Sequence, residues 1–245
     1  MGTIVLCELK KIKIKWWHLL SVGFLLFQAS GMLLNSSTMK SADDTFTWIQ
    51  MGLFSYAYLA VTNVVAIEVI LREFINKTAS TTFSYEQERW KIYIGKLIAI
   101  FIISLMMYAI TFCFILVFSI IKTRSTLTSS VIVKHLILTI KAYGYQMLMV
   151  TVTASIALAC KNYIVPLLYI GIQLVLSFLF LCNPGFRSFI PFPLPVINNL
   201  ILIKDNYNIL DGLSVLPSQV AIAVILFIGG IVFGCVYINR MEVEK

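Results

Sequence analysis

Six long apolar runs that contain almost no charged residues occupy most of this 245-residue chain. A helix needs roughly 20 apolar residues to cross the hydrocarbon core of a bilayer, and each run is that long or nearly so. The runs show no alternation of apolar and polar residues, as barrel strands would, so they predict helices. The sequence therefore predicts an all-α, polytopic membrane protein with six transmembrane helices, at residues 16–34, 49–71, 97–121, 142–159, 163–182 and 220–238.

The composition agrees with a bilayer as the main solvent. Apolar residues make up 60% of the chain and charged residues only 12%, whereas soluble domains carry about 25% charged residues. The 5 cysteines include no C-x-x-C pair, so we interpret them as packing residues rather than as a disulfide or metal site. The 2 histidines, His18 and His135, are far apart and predict no zinc site.

The distribution of basic residues predicts the orientation of the chain. Lys10, Lys11, Lys13 and Lys15 directly precede the first run, and most of the 19 Lys and Arg residues fall on the side that holds both termini. By the positive-inside rule, both termini are cytoplasmic. Residues 1–15 alternate these lysines with apolar residues and predict an amphipathic helix on the inner surface of the membrane. The net charge of +8 is then explained by topology and lipid headgroups rather than by nucleic-acid binding.

A polar segment, residues 72–96, separates the second run from the third. It mixes acidic and basic residues with aromatic ones, and Ser84 followed by Gln87 has the pattern of a helix-capping box. A solvated loop would also be polar. The mixed charge together with Phe83 and Tyr85 favours a surface on which a soluble partner docks.

The stretch 183–219 is long and unusually apolar for a connection, and it holds all but one of the 6 prolines. We predict an extracellular, re-entrant element that dips into the outer leaflet and packs on the other helices, because its backbone must be satisfied there. Two roles stay open for it: an apolar lid, or a part of the path by which a substrate leaves.

Motifs for catalysis and nucleotide binding are missing from the sequence. Gly95-Lys96 is followed by Leu97 and has no upstream glycine at the spacing of a P-loop, so the chain is not expected to bind ATP through a P-loop. There is no HExxH, no GxSxG and no pair of intramembrane aspartates, which argues against an enzyme. Glu68, near the end of the second run, is expected to snorkel or to pair with a basic side chain, the alternative being a functional intramembrane charge.

Gly230 and Gly234 form a Gly-x-x-x-Gly pair in the last run. Small residues one turn apart allow two helices to approach closely, so we predict helix packing at both positions. The spacing does not tell whether the partner helix belongs to the same chain or to a second copy.

The polar segment resembles one found in the permeases of bacterial type-2 ABC exporters. Those proteins have six spans, an N-terminal interfacial helix and, after the second span, a motif of the form E-R-E-x-G-T, a short coupling helix and a polar-basic stretch that ends in G-K. Here the corresponding residues are Arg72-Glu73, Lys77-Thr78 in place of the frequent Gly-Thr, and Gly95-Lys96. The coupling helix would span 78–85.

The resemblance implies a division of the chain into the helix 1–15 and a permease domain 16–245. It also implies a cytoplasmic ABC ATPase as a separate subunit, which would bind ATP and Mg²⁺ and contact this chain through the coupling segment. The residues to which the resemblance assigns ATPase coupling are Glu73, Lys77, Thr78, Ser80, Phe83, Tyr85, Glu86 and Arg89.

The small size and the proline-rich last connection are similar to those of permeases for lantibiotic and bacitracin self-immunity and for the export of cytolytic peptides. This similarity implies a bacterial cell membrane, an amphipathic peptide as substrate and a second permease, identical or different. Two other classes stay open. A non-transporting scaffold or sensor subunit would not need the coupling segment. An ion-coupled secondary carrier would need acidic residues near the bilayer midplane, which the runs lack.

Overall fold

The computed structural model describes residues 2–11, 23, 27, 30–31, 41–79, 88–181, 185, 188–201 and 214–241. Within these ranges the secondary structure is helical, with no β-strand. The α-helices are α1 (Gly2–Lys11), α2 (Ala42–Gly52), α3 (Tyr58–Ile75), α4 (Arg89–Thr123), α5 (Ser129–Cys160), α6 (Ile164–Leu181), α7 (Leu194–Leu200) and α8 (Pro217–Arg240). A π-helical turn, Leu53–Ala57, joins α2 to α3, and a 3₁₀ turn, Arg124–Thr126, follows α4.

Five helical segments of the described chain are long and apolar enough to cross a membrane: Ala42–Ile75, Arg89–Ile121, Ser129–Cys160, Ile164–Leu181 and Pro217–Arg240. They correspond in order to the second through sixth predicted spans. The first predicted span, 16–34, lies outside the described residues except at four positions, so a sixth span stays a prediction.

Helices α2, α4 and α5 each begin before the span that the sequence predicts, α4 at Arg89 rather than at 97. α2 starts at Ala42, inside a stretch that its polarity marks as a loop, and the hydroxyl of Ser41 caps it by accepting a hydrogen bond from the Asp44 N–H at 3.1 Å. α5 starts at Ser129, well before the predicted 142. Polar residues at the starts of α2 and α5 pair with one another across the two helices, so their hydrogen-bonding groups are satisfied without a water-exposed loop.

α5 lies at the centre of the bundle and packs along α8, α3, α7 and α4. The chain direction defines two ends. At the α1 end, α3 and α5 finish, α4 begins, and α1 packs against α4. At the distal end, α2 and α5 begin. The segment Ala42–Ile75 has 34 residues, which makes a helix of about 50 Å, so it extends beyond the hydrocarbon layer.

α8 is seated on its neighbours at two glycines. A Cβ atom at Gly230 would lie 2.9 Å from the Thr151 backbone carbon of α5, and one at Gly234 would overlap the Tyr93 ring of α4. The Ser155 hydroxyl donates to the Gly230 carbonyl at 2.6 Å in the same contact. In this structure both glycines therefore face helices of their own chain.

The π turn between α2 and α3 is held by side chains from two other helices. The Tyr58 N–H bonds to the Leu53 carbonyl, five residues back. Gln146 of α5 donates to the Phe54 carbonyl at 2.7 Å, and Asn199 of α7 donates to the Ser55 hydroxyl at 3.1 Å. α7, which is part of the proline-rich stretch, is buried over this turn.

A matched pair of substitutions tests the glycine contact. Gly234→Ala is expected to destabilise the protein by about 1–3 kcal/mol, because the buried Tyr93 ring must move to admit a methyl group. Gly229→Ala, five residues earlier on the same helix, meets nothing within 4 Å and is expected to leave stability unchanged or slightly higher, because alanine favours a helix over the unfolded chain. Thermal unfolding in mild detergent measures both, and equal melting temperatures would contradict the packing described here.

Candidate functional site

Four charged side chains form a compact ion-pair cluster at the α1 end. Lys96 Nζ lies 2.9 Å from Glu8 Oε2 and 3.1 Å from Glu73 Oε1. Lys11 Nζ lies 2.8 Å from Glu8 Oε1 and 3.1 Å from the same oxygen of Glu73. Two acids and two bases thus neutralise one another, and each lysine bridges both carboxylates.

The cluster joins three separate parts of the chain. Glu8 and Lys11 belong to α1, Glu73 to the last turn of α3, and Lys96 to the second turn of α4. Gly95 explains why α1 can come so close, because a Cβ atom there would lie 2.7 Å from the Cγ2 of Ile4. The pair Gly95-Lys96 therefore supplies both the space for α1 and the charge that holds it.

Burial strengthens the dependence of these four side chains on one another. Glu8, Glu73 and Lys96 are each no more than 4% exposed. Burial by itself would raise the pKa of Glu8, but the charge of Lys96 and the hydrogen bond from Lys11 outweigh it and hold that pKa below its usual value. Burial likewise opposes the charge of Lys11, yet the hydrogen bond to Glu8 and the charge of Glu73 raise its pKa. Removing one member would leave a buried charge without its partner, which costs about 3–5 kcal/mol.

The end of α3 has the hydrogen bonds of a Schellman motif. The Thr78 N–H bonds to the Glu73 carbonyl at 2.9 Å, and the Lys77 N–H bonds to the Phe74 carbonyl at 3.2 Å. Lys77 has φ 55°, the left-handed conformation that such a terminus requires and that glycine adopts most easily. This is the position where the resembled family often has glycine, so the motif marks the turn that ends the helix.

Arg72 adds a second tie between α1 and α3. Its Nη1 donates to the Lys11 carbonyl, the last of α1, at 2.6 Å. Its Nη2 lies 3.9 Å from Glu68 Oε1, which agrees with the expectation that Glu68 pairs with a basic side chain. The last carbonyl of α1 is thus bound by a cation, a favourable arrangement at a helix C-terminus.

The predicted coupling residues fall into three groups. Glu73, Lys77 and Thr78 lie together at the end of α3. Arg89, at the start of α4, donates instead to the Met241 carbonyl at 2.7 Å and so ties α4 to the end of α8. The remaining four predicted residues, Ser80, Phe83, Tyr85 and Glu86, lie outside the described residues.

Sequence reasoning missed the partners of Glu73. Glu8 and Lys11 were expected only as parts of an amphipathic surface helix, and Lys96 only as the end of a motif. One signal was present: Glu8 is the one acidic residue in a basic N-terminal segment, and it is buried rather than exposed.

A second polar group, the distal polar cluster, joins the beginnings of α2 and α5. Asp43 lies 2.8 Å from Lys134 Nζ and 2.9 Å from His135 Nε2. Gln50 donates to the His135 carbonyl at 3.0 Å and to the Thr139 hydroxyl at 2.9 Å, which turns its oxygen toward His135 Nδ1 at 2.7 Å. These contacts close the distal end of the bundle.

Comparison with known proteins assigns the chain to a family. The sequence model of the ABC-2 family transporter proteins matches residues 4–183, which include the whole ion-pair cluster and the distal polar cluster. This chain belongs to the ABC-2 family. No curated protein and no solved structure matches it significantly.

Family membership makes the chain a multi-pass membrane permease of an ABC transporter. Members of this family form the permease component, which is generally not catalytic, and they imply an ABC ATPase as partner. Two members of the ion-pair cluster, Glu73 and Lys96, belong to the 72–96 segment, for which the resemblance predicts ATPase coupling.

Substitution of two lysines of α4 compares the buried cluster with an ordinary surface ion pair. In Lys96→Met, the two carboxylates lose a buried cation, and α1 is expected to detach, with at least tenfold faster amide hydrogen exchange across Gly2–Lys11. Lys91→Met removes an exposed pair with Glu88 and is expected to change nothing measurable. Equal exchange in the two variants would show that the cluster does not hold α1.

Lys77→Gly tests the turn at the end of α3. Glycine adopts φ 55° without the steric cost that lysine bears, so the variant is expected to be more stable by about 0.5–1 kcal/mol. Asn76→Gly is the control, since φ is −78° there and glycine only adds freedom to the unfolded chain. Thermal unfolding that ranks the control above Lys77→Gly would contradict this account.

Proposed function

We propose that this permease is one subunit of an ATP-driven exporter that expels amphipathic peptides from the membrane or the cytoplasm of a bacterial cell. A separate ABC ATPase binds and hydrolyses ATP with Mg²⁺, and a second permease, identical or different, completes the transporter. Both termini and the 72–96 segment face the cytoplasm in this arrangement.

The observation that carries the proposal is the ion-pair cluster. Three parts of the chain that could each receive a push, α1, the end of α3 and the start of α4, are fastened to one another by buried charges. A displacement of the coupling segment is therefore shared by all three, as a rigid-body change requires. In a loosely attached segment the same displacement would be lost in local bending.

The route from this site to the rest of the bundle is short. Arg89, at the start of α4, is bonded to Met241 at the end of α8. α8 in turn lies on α5 and α4 through Gly230 and Gly234. Movement at the coupling segment thus reaches the helices that extend to the distal end. In this proposal, Thr78, Ser80, Phe83, Tyr85 and Glu86 contact the ATPase, while Glu73, Lys77 and Arg89 fix the segment to the bundle.

The distribution of charge supports an external energy source. Residues 45–67, 97–121, 142–160 and 217–239 contain no Asp, Glu, Lys or Arg. An ion-coupled carrier needs acidic or other ion-binding groups in such positions. The spans offer neutral polar groups and apolar surface instead, which suits a substrate that is itself amphipathic and partitions into the bilayer.

The first experiment is affinity purification of the chain in mild detergent, followed by mass spectrometry. A stoichiometric ATPase with a P-loop is the expected companion, and a second six-span protein would distinguish a heterodimer from a homodimer. If the folded chain is purified without any ATPase, the exporter proposal fails and a scaffold or sensor role gains support.

Coupling is then measured in the complete complex in lipid nanodiscs. Glu73→Gln keeps the shape of the side chain but removes the charge that both lysines bind, so peptide-stimulated ATP hydrolysis is expected to fall about tenfold while basal hydrolysis persists. Arg89→Gln provides a second variant that leaves the ion-pair cluster intact. Lys91→Met is the matched control. Full stimulation in both Glu73→Gln and Arg89→Gln would refute the proposed coupling route.

A further inference from the structure

α6 touches the rest of the protein along a narrow stripe. Its buried residues are Pro166, Ile170, Gln173 and Ser177, spaced so that they form one line along the helix. Two of the four are polar, whereas the rest of α6 is apolar apart from Tyr169 and is half-buried or exposed. The inward line of this helix is therefore its polar side, the reverse of what packing against an apolar core would favour.

The polar groups that face one another across this stripe are unequally satisfied. Asn63 of α3 accepts a hydrogen bond from the Thr153 hydroxyl of α5 at 2.6 Å and donates to the Leu59 carbonyl of its own helix at 2.7 Å. α3 and α5 are thus joined by one short hydrogen bond. Gln173 of α6 receives only a long contact of 3.5 Å from Asn63 to its oxygen.

The amide nitrogen of Gln173 has no hydrogen-bond partner among the described residues, although the side chain is fully buried. An unmade hydrogen bond in a membrane interior is unfavourable, because no water is available to replace it. The closed contact between α6 and α3 thus keeps a donor unused, and a group that brings an acceptor to it is favoured.

We propose that the seam between α3 and α6, lined by Asn63, Thr153 and Gln173, is an uptake site for the backbone carbonyl groups of a membrane-embedded amphipathic peptide. The unpartnered Gln173 amide donates to a peptide carbonyl when α6 separates from α3, and the Asn63–Thr153 pair forms the fixed wall. This inference rests on the proposed function and names the place where the substrate is held.

The surroundings limit what the seam accepts. The nearest charged residues on α3 are Glu68 and Arg72, and Glu68 lies five residues beyond Asn63, or about 7 Å along the helix axis. These two side chains pair with each other at the α1 end. The seam itself is neutral, so it takes uncharged polar groups, while lysine side chains of a cationic peptide stay toward the charged end.

A structural role for Gln173 makes the opposite prediction from a binding role. If the amide serves to hold α6 in place, its removal lowers stability. If it waits for a ligand, its removal eliminates an unsatisfied donor and leaves stability equal or higher. Gln146 of α5 is the control for the amide donor, because its amide nitrogen donates to the Phe54 carbonyl at 2.7 Å, although its oxygen has no hydrogen-bond partner among the described residues.

The test uses the full chain in lipid nanodiscs and a fluorescently labelled, cationic amphipathic helical peptide as the probe. Gln173→Leu is expected to weaken peptide binding about fivefold, as loss of one hydrogen bond predicts, with an unchanged or higher melting temperature. Gln146→Leu is expected to lower the melting temperature and to leave the peptide affinity of the folded protein unchanged.

Each contrary result has a separate meaning. A lower melting temperature or an unchanged peptide affinity in Gln173→Leu would overturn the seam as a binding site and leave the exporter proposal intact. Absence of peptide binding by the unsubstituted chain would overturn both the site and the peptide substrate. In a parallel arm with spin-labelled phosphatidylglycerol, loss of immobilised lipid in Gln173→Leu would assign the amide to a lipid carbonyl and overturn the peptide site.

Discussion

The structure of the α1 end depends on the buried ion pairs of Lys96. A single ammonium group, buried in the second turn of α4, pairs with a carboxylate from α1 and another from α3. Each carboxylate would be expensive to bury alone, and so would the lysine. Because these charges neutralise one another, α1, the end of α3 and the start of α4 can pack together at one buried contact. The proposed transfer of movement from an ATPase follows from that contact.

The sequence predicted the helical class and all five helices of the described chain that are long and apolar enough to cross a membrane. That information is local, because length, hydropathy and the absence of charge determine it. The sequence did not predict the helix starts at Ala42 and Ser129. Asp43 looks like a loop residue, and Lys134 like a lysine that reaches outward from a helix start, until the fold pairs them across two helices. Polar residues are predicted to be exposed to solvent when their partners in the fold are not known.

The candidate site likewise contains residues that the sequence could identify and residues that it could not. Glu73 and Lys77 could be singled out because they match positions of the motif in the resembled family. Glu8 and Lys96 could not be paired from the sequence, since 88 residues separate them and ion pairing carries no periodic pattern. The uneven hydrogen bonding of Gln173 is a property of three helices together and has no trace in the chain alone.

The π turn has a geometric effect on everything that precedes it. One additional residue in a helix rotates the upstream part by roughly 100° relative to the downstream part. Leu53–Ala57 thus sets the angular offset between the face of α2 that carries Asp43 and Gln50 and the face of α3 that carries Asn63. Removing a single residue from this turn would direct Asp43 and Gln50 away from His135 without altering any side chain of the distal polar cluster. The registration of that cluster is therefore encoded in the length of the backbone, some distance from the residues that form it.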